Sequence, residues 1–176
     1  MVKHLFIGTV FLAAACSVYR QAPTLTLENN TSGKIQLDGY FYAKKDNGLY
    51  NSIVLYQNGV ILEGGSLEIS TGIHSVDSNF LAANNFNNSY DRKIPYIWGI
   101  YIIKANNIIL ERYNVPAFGE SYQTYVDQGH IRNKKQFIIT SRKYIKSGEL
   151  EARRDTFNFR PLSTKPDSTN NFIHRN

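Results

Sequence analysis

Ile53-Val54-Leu55-Tyr56-Gln57-Asn58-Gly59-Val60-Ile61-Leu62 is the stretch that decides the fold. Two runs of β-branched, aliphatic and aromatic residues flank Asn58-Gly59. That pair predicts a type I′ turn, because such a turn needs φ > 0 at both central positions. The ten residues therefore predict a two-stranded antiparallel hairpin.

The same grammar continues on both sides. Upstream, Ile35 to Ala43 alternates, with Ile35, Leu37, Phe41 and Ala43 on one face and Gln36, Asp38, Tyr40 and Tyr42 on the other. A period of two marks a half-buried strand. Lys44 to Gly48 supplies its turn into a second strand, Leu49 to Gln57. Downstream of Gly64-Gly65 the spacing of Ile69, Ile73, Val76 and Phe80 changes to three and four, which predicts one short amphipathic helix. Ala82 to Ile94, rich in Asn, is expected to be loop. Ile97 to Ile103 and Ile108 to Tyr113 then repeat the hairpin around Ala105-Asn106-Asn107. Tyr122 to Ile131, Gln136 to Tyr144 and Thr156 to Leu162 complete the strands, with Asn133 to Lys135 and Lys146 to Arg154 as connections. The expectation is an all-β, mainly antiparallel fold: a small β-barrel or β-sandwich of about eight strands with one short helix. Either form hides its sheet edges.

A different signal opens the chain. Met1 to His4 is short and basic, and Leu5 to Ala15 is an uncharged run whose only polar side chain is Thr9. Small residues Ala13-Ala14-Ala15 precede Cys16, the single cysteine of the 176 residues. A positive start, an apolar run and small residues at the cut describe a secretory signal peptide. A membrane-spanning helix needs about 20 apolar residues, far more than this run supplies. One cysteine cannot form an intramolecular disulfide. The expected organisation is a signal peptide over 1–15, a lipidated cysteine and tether over 16–34, a β domain over 35–162 and a flexible polar tail over 163–176.

Leu12-Ala13-Ala14-Ala15-Cys16 resembles the lipobox of bacterial lipoproteins. That resemblance implies that Cys16 carries lipid, a diacylglyceryl group with or without a further acyl chain such as palmitate, and becomes the first mature residue. It implies a protein anchored in the cell envelope, at the outer membrane, facing the periplasm or the cell surface. Farther along, Trp98-Gly99-x-Tyr101, Gly129-x-Ile131 and Phe137-x-Ile139 are loosely similar to the strand rhythm of small lipocalin-like envelope lipoproteins. Asp167-Ser168-Thr169 resembles an envelope O-glycosylation motif.

Catalytic and metal-binding patterns are thin. Gly119-Glu120-Ser121-Tyr122-Gln123 starts like a nucleophile elbow, but Gln123 stands where the second glycine belongs. His74, His130 and His174 are isolated, so no zinc ligand spacing occurs. Asp127-Gln-Gly-His130 reads as turn chemistry at a strand end rather than an acid beside an imidazole. No catalytic residue, metal or cofactor is therefore expected. Binding has more support. Tyr40, Tyr42, Trp98 and Tyr101 are amphipathic rings suited to sugars or partner surfaces. Charge is uneven: residues 17–130 hold 8 basic and 10 acidic side chains, whereas 131–176 hold 11 basic and 4 acidic, in a chain of net charge +6. Arg132, Lys134, Lys135, Arg153 and Arg154 are expected to join one basic patch for an anionic partner. An exported chain does not meet nucleic acid, so the expected partners are the membrane through the anchor and an envelope protein, glycan or anionic lipid. The sequence thus predicts non-catalytic binding, with a small envelope hydrolase as the alternative.

Overall fold

A computed structural model describes residues 20–46, 48–67, 94–117, 120–169 and 171–173. The signal segment, Cys16 and the helix expected over residues 69–80 lie outside the described residues. The eight strands are β1 Gly39–Lys44, β2 Tyr50–Leu55, β3 Val60–Leu67, β4 Trp98–Lys104, β5 Asn107–Tyr113, β6 Thr124–Asn133, β7 Gln136–Tyr144 and β8 Leu150–Pro161. Each pairs antiparallel with its neighbour in sequence, and β1 pairs with β8, so the meander closes into a barrel. Closure removes every free edge, which settles barrel against sandwich. The seam is tight at Gly39, where a Cβ would stand 2.0 Å from the Arg160 carbonyl oxygen. The helical structure among the described residues is one 3-10 turn, Pro95–Ile97.

The deciding hairpin forms with a different turn. Only Gly59 of the pair has positive φ, at 83°. Gly59 N–H donates to the Tyr56 carbonyl at 3.0 Å, and Tyr56 N–H donates to Val60 O at 3.0 Å. Three residues, Gln57 to Gly59, therefore make the loop, the form in which a type I turn ends in a left-handed glycine. Asn58 contributes its side chain, accepting from Val60 N–H at 3.3 Å.

Alternation sends one residue of each pair inward. Phe41, Ile53, Leu55, Ile61, Ile108, Leu110, Phe137, Ile139 and Phe157 form the buried interior. Phe137 stacks on Phe157 at 4.9 Å between ring centres, with Phe41 at 5.0 Å from Phe137. An eight-stranded barrel has an interior that side chains just fill. One end is plugged: Ile35 and Leu37 join the interior cluster, and Gln36 N–H donates to Lys134 O at 2.8 Å. We call this the closed end; the β2–β3, β4–β5 and β6–β7 turns gather there.

Residues 20–34, expected to be a tether, run instead along the outer wall from the far end to the closed end. Arg20 forms a parallel bridge with Tyr122, and Asn30 N–H reaches Gln57 O at 2.7 Å. The clamp between them is Glu111, buried on the outer face of β5. Its carboxylate accepts Thr24 N–H at 2.8 Å, Leu25 N–H at 2.7 Å and the Thr24 hydroxyl at 3.0 Å. Leu25 and Leu27 then cover Val60, Leu62, Trp98 and Ile100. The tail, expected to be flexible, docks as well. Phe172 and Ile173 complete that outer cluster, and Tyr56 O–H donates to Pro166 O at 2.8 Å. Isolated apolar residues in polar stretches show no periodicity, so both segments read as unstructured although each carries a few side chains for a barrel wall.

Candidate functional site

At the end opposite the plug the interior turns polar. Three strands that begin as apolar interior rows finish in charge: Ile61 is followed by Glu63, Leu110 by Arg112, and Ile131-x-Gly129 by Asp127. Arg112 is 1 % exposed and lies between two carboxylates. Its Nη1 donates to Glu63 Oε1 at 2.7 Å and its Nη2 to Asp127 Oδ2. Arg142, from β7, grips the same carboxylate, Nε to Oδ1 at 2.7 Å and Nη2 to Oδ2 at 2.9 Å. The Tyr125 ring lies under both guanidinium groups, 4.0 Å from that of Arg142 and 5.3 Å from that of Arg112.

These contacts set the protonation states. Burial alone would raise the Asp127 pKa, but the two arginines outweigh it and hold the carboxyl below its ordinary value. Burial opposes the charge on Arg112 and Arg142 too, and the facing carboxylates prevail, raising both above the usual guanidinium value. Tyr125 is pushed up to about 12, by burial first and by Glu63, against the pull of Arg112 and Arg142. Asp127, Arg112 and Arg142 are thus fixed charges near neutral pH, and Tyr125 keeps its proton.

Above the cluster is a cavity of about 370 Å³. Its lining includes Lys45, Glu63, Arg112, Arg142, Arg153 and Asp155, with Tyr96, Tyr113 and Tyr125 as walls. Four cations face two carboxylates, with Asp127 beneath. Arg112 Nε and Arg153 Nε are buried without a hydrogen-bond partner. Both nitrogens are closed off from the cavity itself; of the four cations, Arg112 and Arg142 are held by Asp127, and Arg153 Nη2 pairs with Glu151 Oε2 at 3.0 Å. A larger hollow, about 700 Å³, lies between the β5–β6 and β7–β8 connections. Its lining holds no buried charge. Among the described residues no group of His, Cys, Asp and Glu is placed to hold a metal ion.

The expected binding residues fall out differently. Tyr40, Trp98 and Tyr101 are buried and Tyr42 is half-buried against Tyr50, so none offers a free stacking face. Tyr101 points inward and donates its hydroxyl to Tyr56 O at 2.7 Å. β-sheet rings at this density serve as core because closure gives each strand two covered faces wherever a segment lies outside. The basic patch is divided. Arg132, Lys134 and Lys135 are exposed around the β6–β7 turn at the closed end. Arg153 lines the cavity about 20 Å away along the strands. Arg154 faces solvent on the next position. Both belong to β8, which starts at Leu150 and not after Arg154. Its first half lacks apolar alternation because its inward positions line the polar end. His130 stands out of phase with Asp127 on β6, so the two do not meet. The cluster of Glu63, Arg112, Asp127 and Tyr125 was not singled out from the sequence. The available signal was a charge in phase with an apolar inward row.

The chain matches no family model, no curated protein and no solved structure. The functional reading rests on the geometry of the barrel and on the sequence at its start.

Proposed function

We infer that this is a lipid-anchored cell-envelope protein, held at the outer membrane through Cys16, whose barrel mouth binds an anionic group without catalysing a reaction on it. The observation that carries this reading is the cavity itself, in which the cations Lys45, Arg112, Arg142 and Arg153 outnumber the carboxylates Glu63 and Asp155. A guanidinium offers planar, fixed donors matched to phosphate, sulfate or carboxylate oxygens. The carboxylate beneath is locked by two arginines and does not supply a base, which fits holding better than turnover. An anchor of two or more acyl chains holds a protein stably at a membrane, since each buried CH₂ contributes about 0.8 kcal/mol.

Two measurements test it. Cys16→Ala is expected to abolish incorporation of labelled palmitate; equal labelling of variant and wild type would refute the anchor. Calorimetric titration with inorganic phosphate is expected to show binding that weakens about tenfold in Arg153→Gln, the loss of one charge-assisted hydrogen bond. Identical isotherms for the two proteins would remove the mouth as an anion site.

A further inference from the structure

The end of the barrel that holds the cavity is also the end that faces the anchor. Arg20 is bridged to Tyr122, and the Tyr122 ring stacks on Tyr96 at 6.4 Å and meets Tyr113 edge-on at 6.5 Å. Tyr96 and Tyr113 are walls of the cavity. Cys16 lies four residues before Arg20, a span of at most about 14 Å when fully extended. A lipid on Cys16 therefore brings the membrane to the rim of the mouth, not to the closed end.

The rim carries a second mark. Among the described residues the exposed large hydrophobic side chains are Val115, 69 % exposed, and Leu150, 70 % exposed. Val115 belongs to the cavity lining in the β5–β6 connection, and Leu150 opens β8 just after the β7–β8 turn. Both stand at the same end of the barrel. Exposed Lys143, the cross-strand partner of Leu150 on β7, and exposed Lys146 in the turn stand beside it, with exposed Glu149 preceding it. Apolar tips beside basic side chains suit the boundary between acyl chains and anionic headgroups, where each basic residue contributes about 1 kcal/mol.

We propose that the barrel seats its mouth on the membrane that anchors it, with Val115 and Leu150 in the interface and the phosphate of an anionic phospholipid in the arginine cavity. This deepens the proposed function and rests on it, naming the ligand class and where it comes from. The short reach from Cys16 fixes the orientation. Lys45 and Arg153, the cations of the lining outside the Asp127 network, take the phosphate, and the lysines beside Leu150 favour an anionic leaflet over a zwitterionic one.

The test uses the full lipidated chain in vesicles. A fluorophore is placed at the rim through Val115→Cys or at the closed end through Lys134→Cys, and quenched by nitroxide carried on lipid headgroups. The rim label is expected to be quenched several-fold more than the closed-end label in phosphatidylglycerol-containing vesicles. Placing a negative charge at the other rim contact, Leu150→Asp, is expected to reduce that difference. Equal quenching, or stronger quenching at the closed end, overturns the orientation while leaving phosphate binding by the mouth intact. In detergent, dihexanoyl phosphatidylglycerol is expected to bind at least tenfold more tightly than glycerol phosphate and than dihexanoyl phosphatidylcholine, with the preference reduced in Arg153→Gln. Equal affinity for glycerol phosphate and the short-chain lipid overturns the lipid assignment and points to a soluble phosphate. Loss of vesicle attachment together with absent phosphate binding fails the proposed function itself.

Discussion

Asp127→Asn removes one charge from the polar end of the barrel while keeping the volume of the side chain. In the wild type that carboxylate receives three hydrogen bonds from Arg112 and Arg142. At an effective dielectric of about 20 each charge pair near 4 Å contributes about 4 kcal/mol of attraction. Desolvation of the carboxylate offsets several kcal/mol of that total. What remains after removal is a guanidinium pair without its shared counter-charge, and Arg112, 1 % exposed, keeps only Glu63. Losing one partner of a buried ion pair costs about 3–5 kcal/mol. Arg142 has access to water in the cavity, so the lower part of that range applies, about 3 kcal/mol. For a chain of this size that is a fall in Tm of about 6–12 °C. Urea unfolding at pH 7, with tyrosine and tryptophan fluorescence as the signal, reads it directly. Adding Arg142→Gln to the Asp127→Asn background is expected to cost less than Arg142→Gln alone, with a coupling of about 1–3 kcal/mol. A loss below about 1 kcal/mol with additive single variants would refute the view that these charges are mutually dependent. The pH dependence has the matching sign. Because Asp127 is held below its ordinary value in the fold, its stabilisation is present above the unfolded pKa and is lost as pH falls through the folded one.

Gly59→Val is expected to destabilise by about 2 kcal/mol or more, because φ is 83° and the new Cβ would meet Glu28 O at 2.4 Å; an unchanged urea midpoint would refute it. Glu111→Ala leaves the Thr24 and Leu25 amides without their acceptor, so hydrogen exchange at these two amides should accelerate by about tenfold or more while the strand amides of β6–β8 keep their protection. Lys165 caps the closed end, donating to the Leu37 and Leu55 carbonyls, and burial lowers its pKa to about 8 against the pull of Asp38. Unfolded chain therefore binds the proton more tightly, so stability should rise between about pH 8 and pH 10 and then fall as Tyr101 and Tyr125, both pushed up to about 12, begin to ionise in the unfolded state first. Lys165→Met should flatten the rise, measured as the urea midpoint against pH.

Much of the barrel was legible because its inward rows are strict. Ile35, Leu37, Phe41 and Ala43 alternate as a half-buried strand should, and Ile53, Leu55 and Ile61 place the first hairpin. The site was harder to read for a reason built into the same rows. Arg112 and Asp127 occupy inward positions, and a charged residue interrupting an apolar row looks like the end of a strand. Asp127 and Arg142 are direct partners on the neighbouring strands β6 and β7, and Arg112 reaches past β4 to Glu63 on β3, relations that depend on strand register and not on the order of residues within any one strand. The aromatic residues misled in the opposite sense. Tyr40 and Trp98 sit in outward rows, but the segments of residues 20–34 and 162–173 cover that outer wall. A period-two pattern cannot report a cover supplied from elsewhere in the chain.

The clamp at Glu111 also decides how the molecule takes a mechanical load. With lipid on Cys16, a pull between membrane and barrel enters at Arg20 and meets the bonds to Tyr122, Thr24 and Leu25 one after another. Bonds loaded in series peel singly and at low force, whereas the strand ladders behind them share load and stay closed. Peeling residues 20–34 adds about 50 Å of extended chain between anchor and barrel. In the proposed anchored arrangement the strap would act as a fuse with slack stored in it: under tension the mouth would lift from the surface, and when tension ends the same contacts would draw it back.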